Sequence, residues 1–226
     1  MLKATPQTPA PAIKITFILL LLLPLLSAAS SPIAATSPTV ALACACCADS
    51  GEWYERSGRM QQYEMSELRS MKLGKVAKLY TTEADMEGMK GLPVESYSFD
   101  LLANFFNPGR STTMTFKGER GETGSLTLFL PRTATFFGAD LHDYPEGSAG
   151  PILYKEWRLE GRVGGSGFFR KGIAPGTRFR LILQGRGNNC LSSSDFKSWR
   201  LQVSGPRASY AFYGLFADPE PETGSQ

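Results

Sequence analysis

The chain is poor in the residue that most often carries acid–base catalysis. Of its 226 residues one is a histidine, His142, so a serine or cysteine nucleophile assisted by an imidazole would have to use that single ring. Its setting, "GADLHDYPEG", flanks it with Asp140 and Asp143, but the Gly, Asp and Pro around it spell a turn in which aspartate caps its own backbone. The string "VGGSGFF" (163–169) has Phe168 where a nucleophile elbow needs its last glycine. Those glycines are read as a hairpin turn or bulge instead. No window holds five like charges in succession, which excludes a polyionic interaction tail. Internal repeats are not evident, and an apolar run of the ~20 residues that a membrane-spanning helix requires is missing.

The longest apolar run, Ile15–Leu26, is interrupted by Pro24 and follows Lys3 and Lys14. A basic start, about a dozen apolar residues and small residues behind them are the parts of an export signal. Residues 1–29 are therefore expected to be a signal peptide, cleaved near Ser27-Ala28-Ala29 or as late as Ala41-Leu42-Ala43, with 30–43 a flexible stub or the rest of the signal. The whole chain has 24 basic and 21 acidic residues, and removing the two lysines of 1–43 reduces its net charge from +3 to +1. A domain so near neutrality gives no electrostatic case for nucleic acid, which wants a basic patch and a pI above ~9. Residues 44–217 suit one domain, large enough for a core that does not depend on disulfides. The polar, acidic, Pro-bearing 218–226 read as a disordered tail.

Four cysteines are present, three of them packed into "CACC": Cys44, Cys46, Cys47 and, far along the chain, Cys190. In an oxidising compartment an even count is read first as disulfides. Each complete pairing joins Cys190 to one of the three clustered cysteines and leaves the other two to bond locally. A vicinal Cys46–Cys47 bond has strained geometry and is disfavoured. The alternative is a thiolate site for copper or zinc built from the same four residues, because clustered thiolates suit soft metals. That reading lacks the second paired ligand set of a closed zinc site. A thioredoxin-like C-x-x-C would need a helix after a buried strand, and a lipid anchor on Cys44 would need a leucine where Ala41 stands.

The rest of the domain alternates. "SYSFDLLANFF" (96–106) places Tyr97, Phe99, Leu101, Ala103 and Phe105 on one face, the period of two of a half-buried strand. Met114 and Phe116, then "KGERGETG", then Leu126, Leu128 and Leu130 predict a hairpin over 111–130. Trp157, Leu159 and Val163 alternate with Glu156, Arg158, Glu160 and Arg162; Phe179, Leu181 and Leu183 with Arg178 and Arg180; Trp199, Leu201 and Val203 with Arg200 and Gln202. Tyr210, Phe212 and Phe216 close the series. Met65, Leu68 and Met71 at threefold spacing predict one helix over 64–73, stopped at Gly74. A second helical turn is expected around Asp85.

These patterns predict an all-β, mainly antiparallel domain of about eight strands with one short helix, a β-sandwich or a barrel. Arg158, Arg162, Arg178, Arg180 and Arg200 are the candidate ligand surface: solvent-facing guanidiniums suited to a carboxylated or phosphorylated glycan, or to another envelope partner. The aromatic rings of 96–106 and 208–217 are expected to fill the core rather than form a sugar-stacking platform. The expected function is a non-catalytic binding or structural role in a periplasmic or extracellular, disulfide-stapled protein that needs no cofactor. Metal handling by the cysteine cluster is the second reading and a secreted hydrolase the third.

Overall fold

A computed structural model describes residues 46–80, 89–93, 95–103, 106–142 and 151–217. The signal segment, the stub, Cys44, the turn around Asp85 and the acidic tail lie outside the described residues. In chain order the elements are β1 (Trp53–Arg59), α1 (Gln62–Ser70), β2 (Val76–Leu79), β3 (Ser98–Ala103), β4 (Ser111–Gly118), β5 (Thr123–Phe129), β6 (Thr133–Asp140), β7 (Leu153–Gly167), β8 (Arg178–Gly187), a 3-10 turn (Ser193–Asp195), β9 (Phe196–Gly205) and β10 (Ala208–Leu215). Every ladder is antiparallel.

The sheet closes on itself. Pairing runs β7–β5–β4–β3–β2–β10–β9–β8, and β8 pairs back to β7, so eight strands form a barrel and two more, β6 and β1, lie outside the ring. Closure consumes the unpaired edges of those eight strands. The expected all-β domain is thus a barrel rather than a sandwich.

What lets two strands stand outside is the length of β7. One of its edges is paired with β8 from Leu153 to Arg162. The other is shared: Leu153–Arg158 pair with β6, and Val163–Gly167 with β5. Only Leu130, Pro131 and Arg132 separate β5 from β6. From Leu128↔Val163 to Thr135↔Arg158 the β5–β6 side advances seven residues while β7 advances five, a bulge of two residues. Pro131, which has no N–H to give the ladder, falls inside it.

Side chains follow the period of two. Phe99, Phe116, Leu126, Leu128, Trp157, Leu159, Phe179, Leu181, Trp199, Leu201 and Phe212 are all buried in one core. Rings meet edge to face or tilted, with Phe116 and Phe212 4.6 Å apart and Phe116 and Phe169 5.2 Å apart. Such pairs add ~0.5–1.5 kcal/mol to the burial itself.

Two details of the predicted 96–106 strand are corrected. Tyr97 is exposed, because β4 ends at Gly118 opposite Phe99 and leaves Tyr97 without a rung on that side. Ala103 is exposed too, since β2 pairs only as far as Asp100; Phe105 lies outside the described residues.

The helix begins earlier and ends sooner than its Met65–Leu68–Met71 spacing predicts. Gln61 caps it, and the Glu64 carboxylate accepts from the Gln61 backbone N–H at 2.6 Å, a reciprocal capping box. Met71 has already turned extended, so Gly74 does not stop the helix. It serves a close approach instead: its N–H donates to Leu215 O at 2.8 Å, and a Cβ there would press on that same oxygen. Leu68 and Met71 face the core, Glu64 is buried in an ion pair with Arg56 of β1, and Leu73 bridges to Phe216 just beyond β10. The helix thus spans from the end of β1 to the end of β10, two strands that do not pair with each other.

Candidate functional site

Two regions were singled out by the sequence: the cysteine cluster and the arginine face. Cys46 and Cys190 are bonded to each other across a sequence separation of 144, with Cα atoms 4.9 Å apart. No free cysteine remains among the described residues. The Cys46 and Cys190 sulfurs are spent on each other, so a thiolate metal site would first need that bond reduced. Polar contacts reinforce the bond. Asn189 N–H donates to Cys46 O at 2.9 Å, and the Asn189 side chain donates to Glu52 Oε2 at 2.9 Å.

Beneath this clasp is a residue that sequence reasoning missed. Lys155 shares the inward phase of Trp157 and is 2% exposed. Its ammonium donates to Cys190 O at 2.6 Å and to Asp195 Oδ2 at 2.7 Å. A buried lysine is tolerable only with such partners. The available signal was a lone lysine on the apolar phase of an otherwise clean alternation.

The five arginines come together on the outer wall of β7, β8 and β9. Two are neutralised there. Arg180 Nε donates to Glu160 Oε1 at 2.6 Å across a directly opposed rung. Arg158 holds Glu156 Oε2 at 2.6 Å and reaches Glu55 at 3.4 Å. Burial alone would raise the Glu156 carboxyl, but hydrogen bonds from Tyr154, Arg158 and Gln184 outweigh it and keep the group below its ordinary range. Tyr154 is pushed the other way, up to about 12, by burial and by its contact with Glu156.

Arg162, Arg178 and Arg200 are different: among the described residues none has a carboxylate partner. Arg200 lies with its guanidinium 4.2 Å from the Tyr80 ring centroid, and its Nε is buried with no hydrogen-bond partner. Tyr213, opposite Arg200 in the β9–β10 ladder, meets Tyr80 edge-on at 6.2 Å. Both tyrosines are exposed. Tyr213 is therefore displayed beside Tyr80, against the expectation that the rings of 208–217 fill the core.

A cleft of about 420 Å³ opens over this part of the wall, lined among others by Tyr80, Arg178, Arg180, Arg200, Gln202 and Ser209. That volume is in the ordinary range for small-ligand sites. Guanidinium, amide, hydroxyl and aromatic groups converge there. Such a set can hold a ring by stacking and an anion by charge-assisted hydrogen bonds.

His142 and Ser166 are placed outside this cleft. His142 adopts a φ of 53° and donates its backbone N–H to Asp140 Oδ1 at 2.9 Å. Gly51 N–H donates to the second oxygen at 2.8 Å, and these two backbone bonds lower the Asp140 pKa. The aspartate is a capping group in a turn, as its neighbours predicted. Ser166 lies within β7 opposite Ser125, not at a strand-to-helix elbow. Among the described residues no group of three or more His, Cys, Asp or Glu is arranged to hold a metal ion, and no helix is long and apolar enough to cross a membrane. No protein-family model, curated protein or solved structure matches this chain.

Proposed function

We propose that this is an exported, non-catalytic binding protein whose arginine-and-tyrosine wall takes an acidic glycan of the envelope or extracellular space. One observation carries the reading: Arg178 and Arg200, which have no carboxylate partner among the described residues, line the same cleft as exposed Tyr80, which stacks on Arg200 and touches Tyr213. Tyrosine faces suit the apolar face of a sugar, and guanidinium forks suit its carboxylate or phosphate. Export is supported by the basic-then-apolar amino terminus and by a disulfide of a kind that persists in oxidising compartments. The test is retention of the purified protein on immobilised polygalacturonate against neutral dextran. Retention on the acidic polymer is expected to fall steeply with salt. Arg200→Ala and Tyr80→Ala should each weaken it about tenfold or more, a loss of the ~1.4 kcal/mol expected for one stacked or charge-assisted contact. Equal retention on dextran, or no effect of either substitution, overturns the proposal.

A further inference from the structure

The two arginines at the end of the β7–β8 ladder raise a separate question. Arg162 and Arg178 are directly opposed in the register, and both are exposed. Opposed residues hold their Cβ atoms ~5 Å apart, and like charges in that position repel. Two rungs away the same ladder sets Glu160 against Arg180 and makes the ion pair. The Arg162–Arg178 rung has no such compensation among the described residues.

A third arginine comes to the same place from another part of the chain. Arg110 precedes β4, and its backbone is pinned to the β5–β6 bulge: Leu130 N–H donates to Arg110 O at 2.9 Å, and Gly109 N–H to Leu130 O at 2.9 Å. Gly109 has a φ of +80° and carries the Arg132 side chain against it. Arg110, Arg162 and Arg178 line one shallow cavity of about 520 Å³ with Ser111 and Phe129. The Arg162 guanidinium is 5.7 Å from the Phe129 ring. Gly161 permits the close approach of backbone beside the cavity, since a Cβ there would strike Phe129 O at 2.5 Å and the buried Phe179 ring at 2.7 Å. Among the described residues no carboxylate lines the cavity.

Three guanidiniums drawn from β7, β8 and the entry to β4, with a serine hydroxyl and no carboxylate among the described residues, match a dianion better than a monoanion. A phosphate monoester carries about −1.5 to −2 charge near neutrality and offers three acceptor oxygens; a carboxylate offers one charge and two oxygens. We infer that Arg110, Arg162 and Arg178 form a phosphomonoester site. The inference rests on the preceding reading in sharing Arg178 and the acidic ligand class, and it selects phosphate over carboxylate. The phosphate can belong to a free sugar phosphate or to a phosphorylated chain end.

The test is calorimetric titration of the purified full chain at low salt with inorganic phosphate, a hexose 6-phosphate, a hexuronate and a phosphomannan. The hexose phosphate is expected to bind at least tenfold tighter than the hexuronate. Arg110→Ala and Arg162→Ala should each weaken it tenfold or more, whereas Arg69→Ala, exposed in the last turn of α1, should leave it within twofold. Preference for phosphomannan over the free hexose phosphate assigns a chain end as the source; the reverse assigns the small molecule. Arg162→Glu is the second variant. It should abolish phosphate binding and raise the melting temperature in phosphate-free buffer, because the new carboxylate faces Arg178. Hexuronate binding as tightly as the phosphate, no binding of any phosphate at 10 mM (a concentration ~tenfold above a millimolar Kd), or an unaffected Arg110→Ala protein overturns the site. Loss of polygalacturonate retention with phosphate binding intact would defeat only the glycan proposal.

Discussion

The two halves of β7 are held by different physics. Its C-terminal half, Val163–Gly167, lies inside the closed ring with β5 on one side, near a cluster in which Phe99, Phe116, Phe169 and Phe212 touch one another. Its N-terminal half, Leu153–Arg158, carries β6 and through it β1. There Trp157 meets Phe136 and Phe196, but much of the attachment is specific: a disulfide, a buried lysine with two acceptors, and an asparagine clasp. Every strand of the ring has two ladder neighbours, β7 having β8 along Leu153–Arg162 and β5 along Val163–Gly167, whereas β6 and β1 join the ring through β7 alone. A flap with one neighbour needs directional bonds to fix where it lies. Polar and covalent contacts gather where the ladder runs out.

That contrast can be broken from the hydrocarbon side first. Phe116→Ala removes a fully buried ring from the ring half and is expected to cost ~3–5 kcal/mol in urea unfolding, with both halves lost together. A cost below ~1 kcal/mol would mean that the cluster is not what closes the barrel.

Removing the staple tests the other half. The Cys46→Ser, Cys190→Ser double substitution is expected to cost ~2–4 kcal/mol. Its first effect should be faster amide exchange in 46–60 and β6, with the Phe116 cluster still protected. Uniform loss of protection would show that the flap and the ring unfold as one unit.

A smaller effect comes from alkali. The Tyr154 phenol on the outer side of the flap half has its pKa raised from 10.0 to about 12 in the folded protein. A raised value means that the contribution is complete below pH ~10 and is lost as pH climbs from 10 toward 12. Tyr154→Phe should flatten that alkaline limb of the melting curve. An identical limb in the variant would remove Tyr154 from the account.

The smallest change is expected at the Glu160–Arg180 rung, where both side chains are about half exposed. Glu160→Gln should shift stability by no more than ~0.5 kcal/mol, and less in high salt. A larger loss would mean that the outer wall contributes to stability as the core does.

How much of this could be read beforehand depended on whether the signal was local. Trp157, Leu159, Leu181, Leu183, Trp199 and Leu201 declared their buried face because a strand's two sides alternate whatever its partners are. The arginine face followed from the same alternation. Ring closure did not, since it rests on which strand pairs with which. β1, "WYERSGR", and the short β2 gave no clean alternation, and in β6 the adjacent Phe136 and Phe137 blur it. Three pairings were open to Cys190, and composition could not choose Cys46. Arg110 escaped notice because it belongs to a loop, where no period marks which way a side chain is delivered.

The span of the Cys46–Cys190 bond also sets a schedule. A chain that emerges from its amino terminus presents Cys46 early, while its partner follows 144 residues later, after β8 is complete. Contacts of such sequence separation form late, because the loop between them must be ordered first. Until then Cys46 is a thiol beside Cys44 and Cys47, open to wrong local bonds that must be reshuffled by exchange. The correct bond therefore acts as a progress mark: its appearance over time reports that the chain has arrived through β8, with β9 and β10 following it in sequence.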